Sequence, residues 1–288
     1  MSATIQKIIR LLYKHSIAVI NSLILFFRSF LFLPFRTWLR FWIPGAYTDR
    51  EIRIGSLRYS IHNHHLSERI VDLYMIMTCA RDKQYNPSSF EIKPHDTVVE
   101  IGGHIGSFSV YAAREASRGR VLVYEPDPEN FTYLQKNIDL NKLSNITAEK
   151  MAVAAEKGTR MFFPSTMNTA ESSMYAIKRQ KRDIQVSTTT LSHIFEEHAI
   201  TSCDFLKLDC EGAEYEILFG TPASYLKKIQ KIAMECHNPS YFNMSDPQYN
   251  RESMKKFLQS NGFVVTEVKE NAMHSLLFAW RGIANQRI

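Results

Sequence analysis

Acidic and imidazole side chains follow two apolar runs of this sequence, in positions where they could carry acid–base chemistry. The run FLKL continues into Asp209 and Glu211, and the run IAM continues into Glu235 and His237. A histidine with its ordinary pKa of about 6.5 exchanges protons near neutrality, so His237 is the first candidate for a general base and Asp209 the second. Asp209 and Glu235 offer carboxylate oxygens of the kind that Mg²⁺ binds, which gives a metal-assisted alternative.

A glycine-rich turn follows an earlier apolar strand, in the segment TVVEIGGHIGS. Gly102 and Gly106 allow the backbone to approach a ligand closely, and free N–H groups near Ser107 can receive an anion. A dinucleotide fingerprint needs G-x-G-x-x-G, and His104 stands in place of its second glycine, which disfavours a nicotinamide site. Glu100, before the glycines, would suit a cationic amino group. A plain strand–turn–helix joint is the alternative.

An acidic residue also ends the next apolar segment, VLVYEPDP. Glu125 follows the glycine turn by about 20 residues, the spacing at which an acid accepts hydrogen bonds from ribose hydroxyls in nucleotide-binding folds. Asp127 is better explained as the cap of the helix that follows.

The elements that must hold these side chains alternate between strand and helix from residue 96 onward. Hydrophobic periodicity predicts strands at Thr97–Ile101, Val121–Tyr124, Thr147–Lys150, Phe205–Leu208 and Ile229–Glu235, then an antiparallel pair at Phe263–Lys269 and Met273–Trp280. It predicts helices at Ser107–Ser117, Asp127–Asn141, Leu191–His198, Ala213–Gly220 and Ser253–Asn261. Such alternation implies a mostly parallel sheet covered on both faces. Ligands bind outside the carboxyl ends of its strands, so the acidic and imidazole candidates should meet at one cleft.

The region from about residue 96 to 280 resembles the FkbM family of S-adenosylmethionine-dependent methyltransferases. The resemblance rests on the segments VVEIGGHIGSFS, VYEPDPENF, MNTAESSM, VSTTTLSHIF, FLKLDCEGAEYEIL and MECH, whose combination is much more specific than any one of them. It implies a class I, Rossmann-like fold with a seven-stranded sheet, S-adenosylmethionine as cofactor, and O-methylation of a hydroxyl, often on a sugar or polyketide. Three features depart from the family pattern: Glu100 replaces Asp, Gly103–His104 replaces Ala-Asn, and Cys210 replaces an aliphatic residue.

The cofactor is then expected on the glycine turn and on the ends of the second and fourth strands. The predicted contacts are Glu100, Gly102, Gly103, His104, Gly106, Ser107, Glu125, Pro126 and Asp209. The predicted catalytic set is His237, Asp209 and Glu235, and the candidate Mg²⁺ ligands are Asp209 and Glu235. Because the sulfonium methyl is already activated, the enzyme mainly aligns the reacting atoms and removes the acceptor's proton. A non-catalytic membrane-bound scaffold that binds the cofactor and a nicotinamide-dependent oxidoreductase are the alternatives.

Charge and hydropathy divide the chain into an anchor at 1–45, a lead-in at 46–95 and the methyltransferase domain at 96–288. The lead-in contains a predicted β-hairpin at 49–62 and a helix at 66–80. Residues 1–48 carry six basic residues and no acid, and the two kinds balance in the remainder. A neutral catalytic body argues against a nucleic-acid partner. The four cysteines form no C-x-x-C pair, which indicates reduced thiols in a cytoplasmic compartment.

The anchor contains the apolar segment IAVINSLILFFRSFLFLPF, whose single charge is Arg28. A helical projection places the basic and amide side chains in one narrow wedge on an otherwise apolar surface. The members of this wedge are Lys7, Arg10, Lys14, Asn21 and Arg28. The pattern favours a helix lying in the plane of the membrane, with its basic side toward lipid phosphates and with Trp38 and Trp42 at headgroup level.

The expected location is therefore the cytoplasmic face of a membrane, with lipids as partners of residues 1–45. A single-pass helix is the first alternative, and a buried core helix or a homo-oligomer contact is the second. A signal peptide is disfavoured because no small-residue cleavage site follows the apolar run. At a membrane, the expected acceptor is a glycan, a lipid-linked sugar or a lipid headgroup.

Overall fold

A computed structural model shows a helical N-terminal segment, a short β-hairpin and an α/β body. It describes residues 23–43, 51–88, 90–165, 169–175, 183–242, 244–269, 271 and 273–282. The helices are α1 (23–30), α2 (Phe35–Trp42), α3 (Leu66–Ile76), α4 (Ser107–Glu115), α5 (Pro128–Leu140), α6 (Leu191–Glu197), α7 (Glu214–Phe219), α8 (Ala223–Leu226) and α9 (Arg251–Ser260). The strands are β1 (Glu51–Ile54), β2 (Leu57–Ser60), β3 (Thr97–Ile101), β4 (Arg120–Tyr124), β5 (Ile146–Glu149), β6 (Ala152–Val153), β7 (Gly158–Phe162), β8 (Ile184–Thr189), β9 (Phe205–Leu208), β10 (Lys231–His237), β11 (Val264–Lys269) and β12 (His274–Trp280).

The central sheet has seven strands in the order β11-β12-β10-β9-β3-β4-β5. Within this sheet β5, β4, β3, β9 and β10 pair in parallel. In contrast, β12 is antiparallel to both of its neighbours, β10 and β11. The expected mostly parallel sheet is therefore corrected to a mixed one, because the C-terminal hairpin inserts its second strand beside β10. The predicted antiparallel C-terminal pair is present. This mixed seven-stranded sheet fits the Rossmann-like fold that the resemblance implies.

The register of the sheet brings four strand ends to one edge. Ile101 is paired with Tyr124 on one side and with Leu208 on the other, and Leu208 is paired with Met234. The residues that follow these ends are Gly102, Glu125, Asp209 and Glu235. Side chains that lie far apart in the sequence therefore leave the sheet side by side.

Local sequence explains the elements that carry this edge. The strands β3, β4 and β9 are nearly continuous apolar runs, as expected for central strands covered on both faces. The Asp127 carboxylate accepts the N–H groups of Glu129 at 2.9 Å and Asn130 at 3.3 Å and so caps α5, which confirms its predicted role. Element bounds differ from the predicted ones mostly by about one or two residues, as element ends commonly do.

The sequence did not predict a second, three-stranded sheet in the order β6-β8-β7. Most of β7 is exposed and β6 has two residues, so neither has a clear apolar pattern. The strand expected at Ile229–Glu235 is shifted to Lys231–His237, which places His237 inside β10 rather than after it.

The lead-in packs onto the body. The hairpin β1–β2 turns at Gly55, with φ of +60°, and α3 is followed by a π-helical turn at Met77–Arg81, so the predicted hairpin and helix are both present. The side-chain amide of Asn137 in α5 donates to the backbone oxygen of Ser60 at 3.0 Å. The division at residue 95 stays a prediction.

Residues 23–43 form a helical hairpin around Pro34. Inside it, Trp38 Nε1 donates to the Phe26 oxygen at 3.0 Å and Trp42 Nε1 donates to Ser29 Oγ at 3.2 Å. Both indole N–H groups are thus satisfied within the hairpin, which does not favour the predicted headgroup position of the two tryptophans.

An ion pair and a cation–π contact are among the interactions that attach this hairpin to the lead-in. Arg28 forms an ion pair with Asp82 at 2.6 Å, and the Arg81 guanidinium lies 3.7 Å from the centre of the Phe32 ring. The other members of the predicted basic wedge, Lys7, Arg10, Lys14 and Asn21, lie outside the described residues. In the described part of the chain, no helix is long and apolar enough to cross a membrane.

Candidate active site

An open cleft lies at the edge where the four strand ends meet. The predicted cofactor contacts that line it are Gly102, His104, Glu125, Pro126 and Asp209. Apolar walls come from side chains that include Ile101, Met151, Val153, Phe162 and Met174. The cleft therefore combines an apolar lining with a few polar groups, as a nucleoside ligand requires.

Gly102 brings the glycine turn directly against the end of β9. Its φ is +84°, and a Cβ atom at this position would lie 1.8 Å from the backbone oxygen of Asp209. Gly106 precedes α4 with φ of +87°. Among the predicted contacts, Gly103 and Ser107 also belong to this turn but do not line the cleft. Only glycine fits at 102, and this close approach places Asp209 beside the turn.

Glu125 joins the two segments that are predicted to bind the cofactor. One carboxylate oxygen accepts the N–H of His104 at 2.7 Å, and the other accepts the N–H of Asp127 at 2.8 Å. A carboxylate oxygen can accept more than one hydrogen bond, so Glu125 can still receive ribose hydroxyls. Burial, together with the charge of Asp127, raises the pKa of Glu125 to about 8.

The His104 side chain turns away from solvent into a buried polar group. Its Nε2 lies 2.9 Å from Thr169 Oγ1 and 3.7 Å from Asp72 Oδ1. Asp72 also accepts the backbone N–H of His62 at 2.6 Å. Burial lowers the pKa of His104 to about 4, so the ring is neutral at pH 7. The lead-in therefore supports the glycine turn, a role that the sequence did not reveal.

Glu100 lies beneath the turn rather than in the wall of the cleft. Its carboxylate accepts from Ser109 Oγ and, at 3.2 Å, from Lys207 Nζ. Lys207 also donates to the Gly102 oxygen at 2.9 Å and lies 3.5 Å from Asp209 Oδ2. Burial disfavours the lysine charge, but Asp209 and Glu100 outweigh it and raise the pKa of Lys207. The predicted contact of Glu100 with a ligand ammonium is not favoured, because its oxygens already hold Lys207 and Ser109.

The structure brings the four acidic and imidazole candidates together. Asp209 and Glu211 line the cleft. The Tyr85 hydroxyl lies 2.9 Å from Asp209 Oδ2 and 2.7 Å from Glu235 Oε1. His237 Nε2 lies 3.4 Å from Glu211 Oε2 and 3.7 Å from Glu235 Oε2. A carboxylate–imidazole cluster therefore adjoins the cofactor cleft.

The charges around His237 change its expected role. Burial would lower the pKa of His237, but Glu211 and Glu214 outweigh it and raise this pKa well above 6.5. The assumption of an ordinary pKa is therefore wrong, and an imidazolium cannot accept a proton. Burial would raise the pKa of Asp209, but Lys207 and His237 outweigh it and lower this pKa. Asp209, the second candidate, is thus the better proton acceptor at neutral pH.

Sequence reasoning missed three residues of this cluster. Lys207 gave a usable signal, because a lysine between leucines in a buried strand must have a charged partner. Tyr85 lies in a loop without any motif, and Glu214 begins α7 like many solvent-facing acids. Tertiary structure alone brings these last two to the site.

Comparison with known proteins identifies the family of this chain. The family model described as the methyltransferase FkbM domain matches residues 100–265, which is more than half of the chain. The chain belongs to the FkbM methyltransferase family. It is therefore an S-adenosylmethionine-dependent methyltransferase with a Rossmann-like fold, and the nicotinamide oxidoreductase alternative is set aside.

Three relatives place this FkbM methyltransferase among distant homologues. Methyltransferase 1 of Beauveria bassiana is 26% identical over 64% of this chain and 78% of its own length. The 31-O-demethyl-FK506 methyltransferase FkbM of Streptomyces tacrolimicus is 23% identical over 54% of this chain and 71% of its own. The hexuronic acid methyltransferase AglP of Haloferax volcanii is 22% identical over 51% of this chain and 58% of its own.

At pH 9, where the Glu125 carboxyl is ionised, the Glu125→Gln variant of this methyltransferase should bind S-adenosylmethionine at least tenfold more weakly. A hydrogen bond to a charged group contributes about 1.5–3 kcal/mol, and glutamine keeps the size of the side chain but not the charge. Isothermal titration calorimetry of wild type and variant measures the difference. Glu129→Gln, a substitution on the exposed face of α5, is the matched control and should bind as wild type.

The pH dependence of the same titration tests the charge directly. Because the pKa of Glu125 is about 8, the carboxyl is largely protonated at pH 6.5 and ionises as the pH rises. Wild-type affinity should therefore increase between pH 6.5 and 9, and the Glu125→Gln variant should lack that increase. Equal affinities and equal pH profiles would remove Glu125 from the cofactor site.

Proposed function

We propose that this methyltransferase transfers the methyl group of S-adenosylmethionine to a hydroxyl of a glycan, a lipid-linked sugar or a lipid headgroup at the cytoplasmic face of a membrane. The observation that carries the proposal is the carboxylate–imidazole cluster beside the cofactor cleft. A hydroxyl acceptor must lose a proton as it is methylated, and the cluster supplies an ionised carboxylate for this purpose.

The transfer uses residues on both sides of the cleft. Glu125 holds the ribose, and the glycine turn holds the methionyl part near Asp209. The bond between the acceptor oxygen and the methyl carbon forms as the bond from carbon to sulfur breaks, and S-adenosylhomocysteine leaves. The acceptor's proton passes to Asp209, which Lys207 and Tyr85 keep in place. Alignment of the three reacting atoms supplies most of the rate enhancement.

The substrate class draws support from the names of two relatives. One relative is named for an oxygen of FK506 and another for a hexuronic acid. Both names fit an oxygen-rich acceptor.

The geometry does not favour Mg²⁺ at Asp209 and Glu235. Asp209 already lies beside Lys207, and imidazole nitrogens flank Glu235.

Transfer of a labelled methyl group tests this function. The full chain is incubated with methyl-deuterated S-adenosylmethionine and extracted membrane glycolipids, and the products are analysed by mass spectrometry. We expect the label on a sugar or headgroup oxygen, and a strongly reduced yield with Glu125→Gln. Label confined to protein or nucleic acid in the same extract would contradict the proposed acceptor.

Membrane attachment is supported by an exposed apolar surface on the helical hairpin. Its side chains recur at steps of three or four residues within α1, so they share a face of that helix. The surface consists of Leu23, Ile24, Phe27, Phe30, Leu31, Phe35, Leu39 and Ile43. Phe27, Leu31 and Phe35 are 67%, 71% and 61% exposed, which is unusual for large apolar residues in contact with water alone.

Replacing Phe27, Leu31 and Phe35 together by serine should weaken binding to anionic lipid vesicles at least tenfold. Burial of each such side chain contributes about 1.5–3 kcal/mol. Co-sedimentation of the full chain with vesicles measures the effect, and Met161→Ser, an exposed apolar residue elsewhere, is the control. A triple variant that sediments like wild type would rule out this surface as the attachment. A wild type that stays free of vesicles but forms dimers would assign the surface to a second copy of the chain.

A further inference from the structure

Beside the cofactor cleft, four side chains with metal-binding atoms converge from three parts of the central sheet. Glu211 follows β9, Glu235 and His237 lie two residues apart on β10, and His274 begins β12. The β10–β12 register pairs His237 directly with His274. We propose that Glu235, His237 and His274 bind one divalent transition-metal ion, and that Glu211, which lies beside His237, completes its ligands. The role of this ion rests on the proposed hydroxyl acceptor, but its binding does not.

The distances between these atoms suit a shared ion better than direct hydrogen bonds. His237 Nε2 lies 3.4 Å from Glu211 Oε2 and 3.7 Å from Glu235 Oε2, and His274 Nδ1 lies 3.5 Å from Glu235 Oε2. Ordinary N–H···O hydrogen bonds span about 2.7–3.2 Å. Ligand atoms placed tetrahedrally about 2.0–2.2 Å from an ion are about 3.3–3.6 Å apart. The candidate ligand atoms of Glu235, His237 and His274 all lie within 4.8 Å of one another.

A second observation concerns the groups that orient these ligands. Glu214, which is completely buried, lies 2.8 Å from His237 Nδ1 and so directs Nε2 toward the cluster. Histidine ligands commonly donate their other ring nitrogen to a carboxylate in this way. Tyr85 contacts Oε1 of Glu235 at 2.7 Å, which leaves Oε2 for the ion.

The donor set selects the class of metal. Two imidazole nitrogens with carboxylate oxygens suit Mn²⁺, Fe²⁺, Co²⁺ or Zn²⁺, whereas Mg²⁺ prefers oxygen ligands and keeps its water. An acceptor hydroxyl bound to such an ion has a lowered pKa and loses its proton more readily. The site therefore differs from the Mg²⁺ pair of Asp209 and Glu235 in both its ligands and its metal.

Metal titration of the full chain tests the proposal without any acceptor. Chelator-treated protein is titrated with Mn²⁺, Zn²⁺ and Mg²⁺ by calorimetry, and Co²⁺ is added to record its visible absorption. We expect one equivalent of Mn²⁺ or Zn²⁺ to bind at least tenfold more tightly than Mg²⁺. We also expect Co²⁺ bands that indicate four or five ligands including nitrogen. His274→Ala should weaken this binding at least tenfold.

Two control variants locate the ion. His193→Ala removes an exposed histidine on α6 and should bind metal as wild type. His62→Asn alters the other buried histidine cluster, His62, Asp72 and His104, and should also bind as wild type. Binding lost only in His62→Asn, binding unchanged in His274→Ala, or the absence of a bound equivalent would each overturn the proposal. Labelled methyl transfer that is equal with and without chelator would leave the hydroxyl acceptor intact but remove the ion from its chemistry.

Discussion

The Lys207→Met variant should have a free energy of unfolding about 3–5 kcal/mol below that of wild type. Removal of one partner from a buried ion pair leaves the other charge without compensation, and Lys207 serves both Glu100 and Asp209. Urea unfolding followed by circular dichroism measures the change. This residue sits where the glycine turn meets the end of β9, so the substitution also tests how the cofactor site is held together.

Two further variants test whether the loss of unfolding free energy comes from the buried ion pair. Lys227→Met, at an exposed position, should change the unfolding free energy by less than about 0.5 kcal/mol. Glu100→Gln combined with Lys207→Met should recover part of the loss, because one unpaired carboxylate is removed. A Lys207→Met variant within about 1 kcal/mol of wild type would contradict the buried pair.

The His237→Ala variant should lower kcat by about 10²–10⁴-fold, the usual contribution of a general base, because the charge of His237 helps to keep the proton acceptor Asp209 ionised. Cofactor affinity should change little, because His237 contacts Glu211 and Glu235 of the carboxylate–imidazole cluster and does not line the cleft. Steady-state methyl transfer measures kcat, and calorimetry with S-adenosylhomocysteine measures affinity. His193→Ala is the matched control.

The outcome for His237 separates its possible roles. A large loss of both affinity and turnover would place His237 in the cofactor site instead. Turnover near that of wild type would mean that Asp209 acts on the acceptor without help from His237. The expected split, turnover lost and affinity kept, is the signature of an interaction made in the transition state.

Local sequence predicts the geometry of the glycine turn and of the strand ends well. A strand followed by glycines and a helix has few possible geometries, so Gly102 and Glu125 could be placed from spacing alone. Parallel strands also end at a common edge, so Asp209 and Glu235 could be expected near one another. The sequence identifies the family for the same reason, because its motifs are these local elements.

The acceptor side depends on contacts between residues far apart in the chain. Tyr85 meets Asp209 across 124 residues and Glu235 across 150, and no local pattern reveals such a partner. The pKa of His237 is set by Glu211 and Glu214 around it, so its type alone suggested the wrong protonation state. For Glu100 likewise, the decisive partner Lys207 lies on another strand.

The N-terminal hairpin also depends on contacts that the sequence does not reveal. The sequence shows an apolar segment with aromatic residues, and the structure shows that Trp38 and Trp42 are used within the hairpin. Arg28, which the helical projection directed toward lipid, pairs with Asp82 instead. The exposed apolar side chains, rather than the basic ones, are the feature on which the proposed membrane attachment rests.

A crystal structure of the full chain with S-adenosylhomocysteine tests the central claim most directly. We predict ribose hydroxyls within hydrogen-bonding distance, about 2.5–3.0 Å, of the Glu125 carboxylate. We also predict the sulfur at the end of the cleft formed by Asp209 and Glu211, facing the carboxylate–imidazole cluster. A ligand bound in another cavity, or bound here with its sulfur directed away from Asp209, would contradict the account.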